Sequence, residues 1–346
     1  MAEAFMTERD LIQQIHQLVS QEGNGLVQGI GDDCAVVEKD EQNVWLLTMD
    51  TLMESVHFDC SWHPPYLLGR KAVSVNVSDV AAMGGRPVFA LLSLGLPADF
   101  SPEWVTELNR GINEACGQYG CLLIGGDTVC SLGKIALTLT LIGETSRDQV
   151  LYRHGAKAGD TVWVSGALGL AAAGLDYFRS GKTLSMQAEY PVEIRPCIKA
   201  HLDPDARVGL AGALSRTGLV HAMMDLSDGL ATDLSHLCQQ SHLAAMIEEE
   251  RFPGKEALAS AASSLGLSEK ERTGWMIAGG EDYELLFTAS PENQQAIQKA
   301  ALEHGVPVTP IGQLREGQGV ILRRKTADGY EEELISFQGF DHFVKS

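Results

Sequence analysis

Six short segments of this chain place aspartate or glutamate beside glycine, serine or threonine at the end of apolar sequence. They are Gly29–Asp33, Thr48–Thr51, Asn76–Asp79, Gly125–Thr128, Asp225–Gly229 and Gly279–Tyr283. Gathered carboxylates are costly, because like charges a few ångströms apart repel and raise one another's pKa. Glycine lets a backbone approach a ligand closely, and side-chain oxygens suit hard cations. Six such turns therefore predict a fold that gathers carboxylates around several divalent cations and a polyphosphate.

The length and charge of the chain narrow the classes of protein to which it belongs. A chain of 346 residues is long for one hydrophobic core, so we expect two domains. The formal net charge of −20 argues against nucleic acid, whose binding requires lysine and arginine to neutralise phosphates. A phosphorylated ligand would then need a local basic patch or bound metal. We expect the acidic runs Glu248–Glu250 and Glu331–Glu333 on solvated faces or at strand ends.

The cysteines and the start of the chain indicate a cellular compartment. The seven cysteines are odd in number and form no CxxC pair, so neither a disulfide framework nor a thiolate zinc site is expected. The first residues lack the basic and apolar regions of a secretion signal. No segment approaches the ~20 consecutive apolar residues that span a membrane. We therefore expect a cytoplasmic protein without a membrane partner.

Hydrophobic periodicity predicts helices and strands that do not alternate regularly, which favours an α+β fold. Residues 7–21 have helical spacing, with Thr7 as N-cap. The character changes at an exposed turn over 155–160, which divides the chain into domains 1–150 and 151–346. Other helices are expected over 66–83, 102–119, 168–180, 204–216, 230–241, 254–265 and 291–304, and strands over 44–49, 88–96, 121–124, 135–142, 161–165, 222–226, 243–247, 283–288 and 307–311.

Familiar nucleotide-binding motifs do not fit this sequence. Ser180–Thr183 (SGKT) resembles the end of a P-loop, but Asp176 stands where that motif requires glycine. The glycines at Gly23–Gly25 are followed by Gln28 and not by the third glycine of a dinucleotide fingerprint. Protein-kinase signatures are absent. Any use of ATP must therefore rely on another architecture.

Each acidic segment also has a plain structural interpretation. Gly31–Asp33 fits a turn between strands, and Ser227 or Asp228 fits an N-cap for the following helix. Gly279–Tyr283 fits an approach to the next strand. Asp79 is harder to explain, because its spacing places it on an apolar helix face, where a carboxylate needs a partner. A metal ion is the partner that we favour there.

Together, the order and spacing of the segments resemble the thiamine-monophosphate kinase family. Its superfamily also contains aminoimidazole ribonucleotide synthetase, selenophosphate synthetase and a hydrogenase-maturation protein. A selenophosphate synthetase is disfavoured, because residues 1–28 contain no cysteine. The matching segments are Gly29–Ala35 (GIGDDCA), Asp50–Leu52 with His57–Phe58, Lys71–Gly84 (KAVSVNVSDVAAMG), Ile124–Thr128 (IGGDT), Arg153–Asp160 (RHGAKAGD), Asp225–Leu234 (DLSDGLATDL), Gly279–Phe287 (GGEDYELLF) and Gly339–Phe343 (GFDHF).

The resemblance implies phosphorylation of thiamine monophosphate to thiamine diphosphate by direct in-line transfer from ATP, with several Mg²⁺ ions and no phosphoenzyme. The acceptor is itself a phosphate with a second pKa near ~6, so no general base is expected. The family also implies two α/β-type domains of the aminoimidazole ribonucleotide synthetase-like type. The N-terminal domain would carry a mixed sheet, bind ATP and Mg²⁺ and form a homodimer. The site would lie in the cleft between the domains.

The resemblance also assigns roles to individual residues. Expected metal ligands are Asp33, Thr48, Met49 through its carbonyl, Asp50, Asp79, Asp127, Asp225 and Asp228. Expected ATP contacts are Gly126, Asp127, Arg153 and Ser227, and expected substrate contacts are His57, Glu281 and Phe340. Asp32 is expected to support the metal ligands, and Phe337 is the alternative to Phe340 as the ring stacked on the cationic thiazolium.

Two functions of other classes remain as alternatives. An aspartate-lined site with several metal ions also serves phosphate-ester hydrolysis, so a metal-dependent phosphohydrolase is one. A calcium-binding protein is the other, although the sequence contains no EF-hand loop. Within the superfamily, another ATP-using enzyme is the runner-up.

Overall fold

The computed structural model describes residues 7–19, 22–181, 190–340 and 342–343. None of the helices in these ranges is long and apolar enough to cross a membrane. The part before residue 150 contains α1 (Glu8–Leu18), β1 (Leu26–Gln28), β2 (Ala35–Glu38), β3 (Asn43–Met53), α2 (Pro65–Ala82), β4 (Arg86–Leu96), α3 (Pro102–Tyr119), β5 (Leu122–Cys130) and β6 (Ala136–Ser146).

These first strands form a six-stranded sheet in the order β1-β2-β3-β6-β4-β5, in which β4 and β5 are parallel and the other neighbours antiparallel. Burial alternates along β6, as in a sheet with one covered face. The buried helix α2 covers that face and α3 packs on α2. A Cβ atom on Gly69 would lie 2.1 Å from the Leu108 carbonyl oxygen, so glycine lets the two helix backbones touch.

The part after residue 150 forms a seven-stranded sheet in the order β13-β12-β9-β11-β7-β10-β8, with β9 and β12 parallel. Helices cover both faces, and Trp163 stacks on Phe287 on one of them. Its elements are β7 (Thr161–Ser165), α4 (Leu170–Arg179), α5 (Arg195–Leu202), α6 (Val208–Thr217), β8 (Val220–Asp225), α7 (Leu230–Ser241), β9 (Ala244–Glu248), α8 (Lys255–Leu265), α9 (Glu269–Ala278), β10 (Leu285–Ala289), α10 (Gln294–Glu303), β11 (Val308–Arg315), β12 (Gly319–Thr326) and β13 (Gly329–Leu334).

Helix α2 joins the two parts. Its Ala81 belongs to the apolar cluster of Leu210 and Met223, which lie on α6 and β8. Earlier along the same helix, Arg70 Nε donates to Asp203 Oδ1 at 2.8 Å. The end of α2 therefore faces the carboxyl end of β8, and the acidic segments of both parts meet there. The exact residue at which one domain ends stays a prediction.

The α+β prediction is confirmed by the two mixed sheets with their helices. Thr7 caps α1 through a capping box with Asp10, as predicted, although residues 20 and 21 of the expected helix lie outside the described part. The prediction omitted β1, β2, α5, α9, β12 and β13. The hairpin β12–β13 is missed because its residues are largely polar and pair by charge, as Arg323 does with Glu332 at 2.9 Å.

Three of the six acidic segments are not turns, and for two of them this contradicts the prediction. Thr48–Thr51 lies inside β3, and Gly125–Thr128 lies inside β5. Both strands continue because they pair along these residues with β6 and β4. Such ladder bonds override the turn preference of glycine and aspartate. Asn76–Asp79 lies on α2, as its spacing predicted.

Candidate active site

Three aspartates from distant parts of the chain meet between the two sheets. Asp33 lies in the loop before β2, Asp79 in the last turn of α2, and Asp225 at the end of β8. One carboxylate oxygen of each lies within 4.8 Å of the other two. Oxygens at this spacing fit around a single divalent cation.

Hydroxyl groups hold two of these carboxylates in place. Thr48 Oγ1 donates to Asp79 Oδ2 at 2.5 Å, from β3 to α2. Ser78 Oγ donates to Asp225 Oδ2 at 2.6 Å, from α2 to β8. Each bond crosses between elements, so the cluster depends on the packing of α2 against both sheets.

Strand β3 also supplies Asp50. Its backbone amide donates to Asn76 Oδ1 at 3.0 Å. Its charge acts on Asp79, and the charge of Asp33 acts on Asp50 in turn. The neighbouring Met49 side chain is 64% exposed. Because side chains alternate along a strand, the side chain of Met49 points away from the cluster, and its carbonyl is the group left to contribute.

Burial makes these carboxyl groups reluctant to ionise. It raises the pKa of Asp225 to about 8 and that of Asp50 to about 6, and the charge of Asp33 adds to both shifts. Burial, with the charges of Asp50 and Asp225, raises the pKa of Asp79 well above its usual range. A cation among these groups would favour their ionised forms.

Arg153 neutralises part of this charge. Its guanidinium pairs with Asp33 Oδ1, and its backbone amide donates to Asp32 Oδ2 at 3.2 Å. Burial and the charge of Asp33 raise the pKa of Asp32 to about 7. Asp33 Oδ2 is buried and has no hydrogen-bond partner among the residues described by the structure. A buried carboxylate oxygen left unpaired beside two other aspartates fits a metal ligand.

The segment that follows β8 is fixed by Asp233 of α7. Its Oδ2 accepts the amides of Ser227, Asp228 and Gly229 at 3.1, 3.2 and 3.1 Å. The interpretation of Ser227 or Asp228 as N-cap is wrong, because Gly229 holds that position and no side chain caps the helix. The sequence signal for Asp233 was an acid in the first turn of α7, close to the apolar Leu230 and Ala231.

The structure does not bring Asp127 to the aspartate cluster of the same chain. The strand register runs from Asp127 to Ser93, Thr138 and Thr51, across β5, β4, β6 and β3. Three strand spacings place Asp127 about 14 Å from β3. Gly126 lies on the same edge strand, whose residues are exposed throughout.

A group of rings adjoins the cluster. The His57 ring lies 5.0 Å from that of His342, which lies 4.8 Å from the Phe340 ring. The Met53 amide donates to His57 Nδ1 at 3.0 Å, so the neutral ring carries its proton on Nε2. The Phe340 amide donates to the Asp228 carbonyl oxygen at 3.1 Å, which ties the rings to the acidic loop. The sequence pattern did not single out His342.

Phe337 occupies a different environment. Arg9 lies over its ring at 4.2 Å from the centroid, and the His236 ring lies 5.3 Å away. Phe340 is the ring that lies beside His342 and, through it, His57, so the geometry favours it over Phe337 for stacking.

Glu281 is held by two residues that the sequence pattern did not reveal. Lys71 Nζ donates to Oε1 at 2.7 Å, and His201 Nδ1 donates to Oε2 at 3.1 Å. Burial opposes ionisation of Glu281, but the Lys71 charge and the His201 bond hold its pKa below the usual range. Its φ of +66° lies in the left-handed region, which is strained for a residue other than glycine and common at functional sites.

The arrangement as a whole can bind phosphate groups through cations at the aspartates and an organic group through the adjoining rings. The chain matches the family model "AIR synthase related protein, N-terminal domain" over residues 31–145 and "AIR synthase related protein, C-terminal domain" over residues 157–325.

Curated relatives and a solved structure narrow this assignment. The thiamine-monophosphate kinase of Haemophilus influenzae is 35% identical over 344 residues, 99% of each chain. That of Aquifex aeolicus is 38% identical over 300 residues, 86% of this chain and 90% of the relative. A solved structure described as AaThiL complexed with AMPPCP and TMP superposes with a TM-score of 0.82 at 36% identity, covering 98% of this chain and 97% of that chain. The chain therefore belongs to the thiamine-monophosphate kinase family.

Proposed function

We propose that this enzyme transfers the γ-phosphoryl group of ATP directly to thiamine monophosphate, giving ADP and thiamine diphosphate. A phosphate oxygen of thiamine monophosphate forms the new bond to the γ-phosphorus. The bond from that phosphorus to the β–γ bridging oxygen breaks, and its electron pair leaves with ADP. The observation that carries the proposal is the cluster of Asp33, Asp79 and Asp225, with the rings of His57, His342 and Phe340 nearby, in a chain of this family.

The acceptor explains why no residue is assigned as a base. A phosphate monoester has a second pKa near ~6, so thiamine monophosphate is largely a dianion at neutral pH. Catalysis then consists of positioning and charge neutralisation. A relative that is 36% identical is described in complex with AMPPCP and TMP, which supports this pair of substrates.

Mg²⁺ fits the aspartate cluster. The unpaired Oδ2 of Asp33 and the raised pKa values around it are what a hard-cation site shows before its ions are bound. Bound there, Mg²⁺ would neutralise the ATP phosphates and the group being transferred. The residues that we assign to it are Asp33, Asp79, Asp225, Asp50, Asp228, Thr48 and the Met49 carbonyl, with Asp32 behind Asp33.

We assign two further residues to the nucleotide. Ser227 lies in the loop that Asp233 fixes, between the aspartates of β8 and α7. Arg153 pairs with Asp33, and we propose that it exchanges this partner for a phosphate oxygen when ATP and metal bind. Arginine suits that exchange because its donors match phosphate as well as carboxylate.

We propose that a second copy of this chain completes the site. Strand β5 presents an exposed apolar edge, in which Leu122, Ile124 and Val129 are 64%, 55% and 51% exposed. Such an edge favours association through the N-terminal domains. Because Asp127 and Gly126 lie on β5, a homodimer would let one protomer supply them to the cluster of its partner.

The substrate side is assigned to His57, Glu281 and Phe340. An aromatic ring suits the cationic thiazolium, and Phe340 is 50% exposed, so its ring is accessible to a ligand. The carboxylate of Glu281 would accept a hydrogen bond from the aminopyrimidine. Its pKa is held low, so it stays charged at neutral pH.

We also propose the boundary and the compartment predicted from the sequence. The two family models leave residues 146–156 between them, which supports a boundary near 150. All seven cysteines are free thiols, which supports the reducing cytoplasm.

The decisive experiment mixes the protein with ATP, Mg²⁺ and thiamine monophosphate and follows ADP and thiamine diphosphate. We expect equal amounts of both products, formed only with Mg²⁺. Release of inorganic phosphate without ADP would support the phosphohydrolase instead. Absence of any Mg²⁺-dependent product from a folded protein would overturn the proposal.

A further inference from the structure

Lys71 is a fully buried lysine on α2. Its side chain is 0% exposed, and Nζ donates to Glu281 Oε1 at 2.7 Å and to the His201 carbonyl oxygen at 3.0 Å. A buried ammonium is costly unless it is paired. The charged partner of Lys71 is Glu281, which lies in a loop of the part after residue 150, whereas Lys71 lies in the part before it.

The two bonds to Glu281 fix the orientation of its carboxylate. Lys71 takes one oxygen and His201 Nδ1 takes the other at 3.1 Å. A carboxylate has about four lone-pair positions, so both oxygens can still accept a donor from a ligand. Lys71 and His201 therefore hold the Glu281 carboxylate in one orientation and leave lone pairs on both oxygens to accept a hydrogen bond from a ligand.

A neighbouring ion pair already joins α2 to the part of the chain after residue 150, so Lys71 is not needed for that contact. Arg70, adjacent on α2, donates to Asp203 Oδ1 and to Gln118 Oε1, each at 2.8 Å. Arg70 therefore joins α2 to the segment after α5 without touching Glu281. Lys71 adds a connection to a residue of the proposed substrate pocket.

We propose that Lys71 is a positioning residue for thiamine monophosphate, acting across the junction of the two halves by orienting the Glu281 carboxylate toward the amino and cationic groups of the substrate. This inference rests on the proposed function, because it assigns Lys71 a role in binding one of the two substrates. It predicts that loss of Lys71 weakens the use of thiamine monophosphate and spares the use of ATP.

The test compares steady-state kinetics of Lys71→Met with those of Arg70→Met. We expect Lys71→Met to raise KM for thiamine monophosphate about tenfold or more, the usual worth of a hydrogen bond to a charged group, with KM for ATP little changed. Arg70→Met, a matched loss of a buried cation from the same helix, should leave the ratio of the two KM values unchanged. Equal effects of the two variants, or equal effects on both KM values, would overturn the proposal.

A double variant keeps the test valid if Lys71→Met does not fold. Replacing both charges together, as Lys71→Met with Glu281→Gln, leaves no unpaired buried ion. If Lys71 acts only through Glu281, this protein has the same KM for thiamine monophosphate as Glu281→Gln alone. A further rise in that KM would contradict the inference. Wild-type protein that forms no thiamine diphosphate would instead overturn the proposed function, whatever the variants do.

Discussion

Asp79 lies on α2, where burial and the charges of Asp50 and Asp225 raise its pKa well above the usual range. Each pKa unit of such a shift corresponds to about 1.4 kcal/mol that the ionised form loses relative to the protonated form. The ionised Asp79 carboxylate therefore lowers the stability of the metal-free fold. A ligand role explains its presence better than packing does.

The variant Asp79→Asn tests this role. We expect kcat to fall by at least ~10²-fold, because a charge that holds the site's cations is lost. In EDTA the free energy of unfolding should stay equal to wild type or rise by about 1 kcal/mol, since an amide can still accept the Thr48 hydroxyl without like-charge repulsion. Steady-state assays measure kcat, and thermal unfolding in EDTA measures the change in stability.

The matched control is Asp148→Asn, which removes one carboxylate from an exposed position outside the cluster. It should leave both activity and stability near wild type. Turnover retained by Asp79→Asn would remove Asp79 from the list of metal ligands.

Residues that stand out in the local sequence were predictable as members of the cluster, and residues placed there by distant contacts were not. An aspartate on an apolar helix face pointed to Asp79 without any structure. The role of Lys71 depends on Glu281, which is 210 positions away, and no local pattern contains that contact. Asp233 was missed for a different reason, because its partners are nearby backbone amides, which leave no side-chain pattern in the sequence.

Strand β5 shows the same limit at the scale of an element. A Gly-Gly pair usually marks a turn, and Gly125–Thr128 was predicted as one. In the structure, a Cβ atom on Gly126 would lie 1.8 Å from the Leu92 carbonyl oxygen. The glycine is therefore needed where β5 passes close to β4 and does not end the strand.

The position of Asp127 on β5 gives a prediction about subunits. Asp127→Ala and Asp79→Ala proteins should each be inactive. If one protomer supplies Asp127 to its partner, mixed dimers contain one intact site, and random mixing restores about a quarter of the wild-type activity. Activity of the mixed and reassociated proteins measures this recovery.

A second mixture is the control for this experiment. Asp79→Ala with Asp225→Ala should recover nothing, because both residues belong to the cluster within one chain. If mixed dimers form, as mass spectrometry of tagged chains would show, and the first pair still has no activity, then Asp127 does not act across the subunit interface.

For the molecule as a whole, the acidic cluster makes the free energy of unfolding depend on both pH and bound metal. Burial raises the pKa of Asp32 to about 7, of Asp225 to about 8, and of Asp50 and Asp228 to about 6. In the unfolded chain an aspartate has a pKa near ~3.9. Between these values the folded protein holds more protons than the unfolded chain. The free energy of unfolding of the metal-free protein therefore falls as pH rises through this window.

Mg²⁺ should reverse this loss, because it takes the place of the protons. We expect the increase in Tm caused by excess Mg²⁺ over EDTA to be small near pH 5.5 and several degrees larger near pH 8. Glu281 does not interfere, since its depressed pKa matters only below the unfolded value of ~4.3. The same difference measured on Asp225→Asn should depend less on pH. A Mg²⁺ effect of equal size at both pH values would show that the ions do not bind at these carboxylates, and the site would have to be sought elsewhere on the molecule.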